Sequence, residues 1–228
     1  MVSRSRVGPI GPAGDPGSLP RGSGHRSLTA RRPPTGPAPR PIPANAAPSG
    51  AGCVFNGRMS TALLLVDVQR NMLGAPEPVP HAGPVGAAIE ACLDRAREAG
   101  WTVVHVRNNG GDGDPDAPGT AGWELVHPVR DGEHVVDKHR CDAFEGTPLG
   151  RLIPSSATVV LVGMQSEHCI RETALGALGR GHAVQLVRGA HATYDHDEPA
   201  AEVSARVERE LAGAGVEVVE PDRVGCRG

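Results

Sequence analysis

The sequence predicts an α/β fold: a doubly wound, mainly parallel six-stranded sheet with helices on both faces, in a Rossmann-like three-layer arrangement. Three observations carry that prediction. From Ala62 onward, short apolar runs alternate with stretches of helical periodicity. The strongest runs, Leu63–Val66 and Val159–Val162, are apolar at consecutive positions, as strands covered on both faces must be. The β-then-α spacing suits right-handed crossovers between parallel strands.

The first strand is Ala62–Val68. Val85, Ile89, Leu93 and Ala96 then recur at helical spacing and define a helix over roughly 85–99, with Gly100 as its stop. Thr102–Arg107 is the second strand. Asn108 to about Gly132 is rich in Gly, Asp and Pro and longer than a plain connection, which suits a lid or a subunit contact. Val135–Lys138 is a short third strand, and a helical turn around Leu149–Ile153 leads to the fourth, Thr158–Met164. Glu167–Gly179 reads as a helix with Ile170, Ala174, Ala177 and Leu178 on one face. Ala183–Val187 is the fifth strand, Glu198–Leu211 the last helix, and Val216–Val219 the closing strand.

Residues 1–58 differ in texture. They hold eight arginines and one aspartate among many Pro, Gly, Ala and Ser, with little apolar periodicity. Such a segment buries too little surface to offset its chain entropy and reads as disordered. Met59 directly precedes Ser60-Thr61 and is a natural beginning for the folded domain, 59–228, which makes the stretch before it an over-extended start. A targeting peptide and a basic interaction arm are the alternatives. Subtracting the extension's +7 from the chain's −3 leaves −10 for the domain, which argues against nucleic-acid binding. No stretch approaches the ~18 apolar residues of a membrane span. The five cysteines are odd in number, without CxxC spacing, and point to a reducing cytoplasm.

Three strands end on reactive side chains: Asp67, Lys138 and, just beyond the fourth, Cys169. Ligands in such folds bind beyond the carboxyl ends of the strands. Cys169 opens a helix, where unpaired amides and the dipole favour a thiolate; the alternative is a small buried hydrophobe, the role accepted for Cys92. Asp67 interrupts an apolar strand, either to react or to cap the following turn. Lys138 is either a solvated strand end or a partner of both. A carboxylate can take a thiol proton, and an ammonium can stabilise carboxylate and thiolate alike.

The LVDVQ strand, the Lys138 strand followed by Ala143-Phe144-Glu145-Gly146-Thr147-Pro148-Leu149, and the GMQSEHCIRETALGALGRGHAVQLV segment together resemble the isochorismatase-like cysteine hydrolases over about residues 60–220. The resemblance implies an Asp67–Lys138–Cys169 triad. It also implies a non-proline cis peptide joining Met164 to Gln165, and an oxyanion hole from the Gln165 and Cys169 amides. The activity it implies is C–N hydrolysis of a small amide, ureido or lactam substrate, with no cofactor and a homodimer or homotetramer as the assembly.

Four other residues are substrate candidates. Gln69 shares a side of its strand with Asp67, and Phe144 offers a ring to a planar substrate or packs under the Thr147-Pro148-Leu149 turn. Trp123 is a pocket wall or a subunit contact, and His168 a substrate contact or an exposed helix start. Metal-binding members of the resembled family carry Asp-x-His after the second strand. Here that stretch is His105-Val106-Arg107-Asn108-Asn109, so no metal is expected and His105 reads as a core residue. The competing functions are vinyl-ether hydrolysis, a non-catalytic scaffold that keeps the fold, and a redox thiol protein in which Cys141 approaches Cys169.

Overall fold

In the computed structural model the chain is described over residues 60–225. The extension expected at 1–58 lies outside the described residues. Strands β1 (Thr61–Val66), β2 (Thr102–Asn108), β3 (His134–Lys138), β4 (Thr158–Met164), β5 (Ala183–Ala192) and β6 (Glu217–Val219) form one sheet. Their order is β3-β2-β1-β4-β5-β6, and every neighbouring pair is parallel. The order reverses direction at β1, which is where an open α/β sheet leaves a crevice.

Alternation along β1 sends Leu63 and Leu65 to one face and Leu64 and Val66 to the other. On the first face they join Val160, Val162 and the buried stripe of helix α2 (Ala82–Ala99), namely Val85, Ile89, Cys92, Leu93 and Ala96. Full burial of each Leu or Ile contributes about 1.5–3 kcal/mol. Burial also pushes the Cys92 thiol up to about 11, consistent with an inert core cysteine. On the second face, Leu64, Val66, Val106 and Leu161 pack under α4 (Arg171–Gly179) and α5 (Ala200–Ala214), through Ala174, Ala177, Val207 and Leu211. Short helices α1 (Arg70–Leu73) and α3 (Leu149–Leu152) complete the set, and no helix among the described residues is long and apolar enough to cross a membrane.

Several boundaries differ from the sequence reading for local reasons. The first strand stops at Val66, because Asp67 takes a left-handed conformation at φ 51°. Asp tolerates that region better than most residues. The helix expected over 167–179 divides into a π-type turn, Ser166–Ile170, and α4. The fifth strand runs on to Ala192, past a register shift opposite Leu161–Gly163 that hides its continuation from periodicity.

The segment joining β2 to β3 is stitched to the chain after β1. Arg70 N–H donates to Glu124 O at 2.9 Å, Asn71 N–H to Gly122 O at 3.1 Å, and Val126 N–H to Val68 O at 3.0 Å. Its far end is fixed by Glu133, which accepts from Arg97 at 2.7 Å and meets His105 Nε2 at 3.0 Å. Burial opposes the Glu133 carboxylate, but Arg97, the Arg130 amide and His105 outweigh it and lower its pKa from 4.5 to about 2. A depressed acid stabilises the fold above its unfolded pKa and loses that contribution as pH falls toward the folded value. That contribution is lost between pH about 4.5 and about 2. Glu133→Gln therefore flattens the pH dependence of urea-unfolding stability in that window; an unaltered slope would rule out this ion cluster as its source.

Candidate active site

The carboxyl edge of the sheet gathers side chains from neighbouring strand ends. Val66 pairs with Val106 on one side and Gly163 on the other, and Asn108 pairs with Lys138. Asp67, Asn108 and Lys138 therefore emerge side by side, and the turn after β4 brings Cys169 over them. Lys138 Nζ lies 2.9 Å from Asp67 Oδ2, 3.2 Å from Cys169 Sγ and 3.1 Å from Asn108 Oδ1. Lys138 is among the largest fully buried side chains, so its ammonium is held by these three groups rather than by water.

Electrostatics follow from that burial. Desolvation raises the Asp67 pKa above the usual carboxylate range, with Lys138 opposing it. The Cys169 thiol is pushed far up, first by burial and then by the Asp67 charge, with Lys138 opposing. Burial works against the Lys138 ammonium too, yet Asp67 and Cys169 hold its pKa above the ordinary lysine value. The resting site is thus a neutral thiol, an ammonium and a carboxylate with enhanced proton affinity. Asp67 Oδ1 is buried without a hydrogen-bond partner among the described residues, so a lone pair is available to a proton brought into the site.

Cys169 opens onto a cavity of about 310 Å³ lined by Asp67, Met72, Asn108, Asp116, Cys141 and Gln165, with His139, Arg140 and His168 alongside. A wider groove of about 470 Å³, between Arg107 and Val129, holds no nucleophile. The Met164–Gln165 peptide is cis. Gln165 O accepts from the His168 and Ile170 amides at 3.2 and 3.1 Å, which shapes the turn beneath the thiol. A π-type turn of this kind is frequent at functional sites. His168 is largely exposed at the pocket mouth.

Three of the substrate candidates are placed in structural roles. Gln69 accepts from the Asn108 amide at 2.8 Å and donates to the Asn108 and Trp123 carbonyls, each at 3.1 Å. Its amide is consumed in clamping β2 to the long loop. Phe144 is buried in the core layer under α4, with the Arg180 guanidinium 4.6 Å from its ring centre. Trp123 lies beneath Arg107, 3.4 Å from its ring centre, and donates to Asn109 at 2.7 Å. Neither ring lines the Cys169 cavity.

Residues passed over in the sequence fill the gap. Asn108 ends β2 at the same edge, a strand-end position of the same kind as Lys138 at the end of β3. Asp116, from the long loop, accepts from Asn108 Nδ2 at 2.7 Å. Ser166 Oγ meets His191 Nδ1 at 2.9 Å and Ser204 Oγ at 3.0 Å, while Thr193 donates to Glu167 at 2.8 Å. The turn that carries Cys169 is thereby moored to the end of β5 and to α5.

The isochorismatase domain model matches residues 61–217. The chain is 42% identical over 230 residues to a streptothricin hydrolase of Streptomyces noursei, spanning 96% of this chain and 81% of that protein. It is 31% identical over 152 residues to a maleamate amidohydrolase of Pseudomonas putida, spanning 56% of this chain and 70% of that one. A crystal structure from Oleispira antarctica, assigned as an isochorismatase hydrolase, superposes with a TM-score of 0.65 at 30% identity, covering 73% of this chain and 96% of that one. The matched residues run from the first strand into the last and include the whole carboxyl-edge cluster, and the chain belongs to the isochorismatase family of hydrolases.

Proposed function

We propose that this protein is a cysteine amidohydrolase that cleaves a C–N bond in a small amide, ureido or lactam compound through a covalent acyl-enzyme. The observation that carries the reading is Lys138 Nζ poised between Asp67 Oδ2 at 2.9 Å and Cys169 Sγ at 3.2 Å, at the edge of a cavity. The name of one relative, a maleamate amidohydrolase, supports it, and a second relative is named a hydrolase.

Asp67 takes the Cys169 proton as Sγ attacks the substrate carbonyl, and Lys138 stabilises the thiolate as its charge develops. The tetrahedral oxyanion is bound by the Gln165 and Cys169 backbone amides. Collapse breaks the C–N bond, and the proton held by Asp67 passes to the leaving nitrogen. A water molecule then gives its proton to Asp67 and its oxygen to the thioester, releasing the acid and restoring the thiol. The raised proton affinity of Asp67 suits a group that must hold a proton between two transfers.

The test is trace iodoacetamide with and without a panel of small amides, read by intact mass. An adduct located to Cys169 by peptide mass, since Cys141 is exposed as well, and blocked or replaced by an acyl group with one amide class, is expected. Cys169→Ala should lower turnover of that amide at least about a thousandfold. Labelling of Cys169 only after unfolding would remove the nucleophile from the mechanism.

A further inference from the structure

The pocket carries a charge that the mechanism above does not use. Asp116 sits on the β2–β3 loop, is 8% exposed, and lines the Cys169 cavity together with Asp67. Its carboxylate has one hydrogen-bond partner among the described residues, the Asn108 side-chain amide. The other buried aspartate, Asp67, is ion-paired with Lys138, whereas no cation among the described residues lies within ion-pair distance of Asp116. The interior of the site therefore holds two carboxylates against one ammonium, beside a neutral thiol.

The cationic groups nearby do not correct that imbalance. The Arg140 side chain is 71% exposed at the mouth and faces Glu145 at 4.0 Å. His168 is 58% exposed. Asp116 is also built in rather than swinging free. The loop backbone at Gly110 presses so close that a β-carbon there would sit 2.2 Å from Asp116 Oδ1. Asn108 fixes its other oxygen while accepting from Lys138 at 3.1 Å, so the carboxylate is held near the reacting atoms yet kept from neutralising the catalytic ammonium. A buried charge without a counter-ion is costly in the empty site and favours whatever ligand supplies one.

We infer that Asp116 determines specificity by binding a cationic group of the substrate, an ammonium or guanidinium carried close to the scissile amide. The substrate class is then a basic amide or lactam. The inference rests on the amidohydrolase reading and narrows it.

Three small alkylating agents of similar size test it without a known substrate: 2-bromoethylammonium, iodoacetamide and iodoacetate. Each rate at Cys169 in the full chain is divided by its rate with N-acetylcysteine at the same pH. The native protein should favour the cation over the neutral reagent, and Asp116→Asn, which keeps a partner for Asn108, should lower that ratio on the order of tenfold. Equal ratios in the two proteins would overturn the inference. A proportional fall in all three rates would overturn it too, because Asp116 would then act only by propping Asn108 and Lys138. If no reagent labels native Cys169, the amidohydrolase reading fails by itself. Thermal stabilisation by ethylammonium, read in both proteins, still decides the cation site: gain in the native chain with loss in Asp116→Asn supports it, and no gain in the native chain refutes it.

Discussion

Lys138→Met lowers the unfolding free energy by about 3–5 kcal/mol and abolishes reaction at Cys169. The Lys138 side chain is fully buried and Asp67 is 2% exposed, so the substitution strands a carboxylate with no water to replace its partner. Asp67 then relieves the cost by taking a proton at neutral pH, in the direction burial already drives it. A protonated Asp67 cannot accept the thiol proton. The companion variant separates the two effects. Asp67→Asn combined with Lys138→Met removes both charges and recovers much of the stability while leaving the enzyme inactive. Urea midpoints for the two single variants and the double variant, read with iodoacetamide labelling rates, check this. A single Lys138→Met protein as stable as the native one would show that the pair contributes nothing to the fold.

Gly163→Ala costs about 2–6 kcal/mol and suppresses activity with it. Gly163 adopts φ +124°, a conformation that strains an L-residue by about 1–3 kcal/mol. A β-carbon there would also lie 1.9 Å from Val66 O and 2.8 Å from Val66 C, backbone atoms that cannot swing aside. Relief requires β4 to retreat from β1, adding about 1–3 kcal/mol. That movement separates Asp67, the residue after Val66, from the turn carrying Cys169. Gly189 is the control. It also has positive φ, +73°, but nothing lies within 4 Å of a β-carbon, so Gly189→Ala costs only about 1 kcal/mol. Thermal melts of both variants, with labelling rates at Cys169, test the contrast, and equal losses would defeat the steric account.

The sheet and its helices were largely legible because both-face burial leaves continuous apolar runs, and Val85, Ile89, Leu93 and Ala96 mark one stripe. The cluster of Asp67, Lys138 and Cys169 was legible because an ionisable residue at the end of an apolar strand stands out. Asn108 and Asp116 were not. An amide at a strand end resembles any solvated terminus, and a loop aspartate has no periodicity to mark its direction. Gln69 and Trp123 were read toward substrate because nothing in sequence shows a loop folding back across β1. The extent of β5 was hidden for a related reason, since Arg188-Gly189 reads as a turn until the bulge is seen.

The strand order has a bearing on how this chain is made. β1 lies inside the sheet, paired with β2 on one edge and with β4 on the other. β2 follows directly after α1 and α2, but β4 begins only at Thr158. At ordinary rates of synthesis the second edge of β1 waits roughly 5–20 s for its partner. Leu63, Leu64, Leu65 and Val66 offer no charge or proline to discourage pairing with another nascent chain. Yield during expression should therefore improve with slower initiation or lower temperature, and decline first where ribosomes crowd one message.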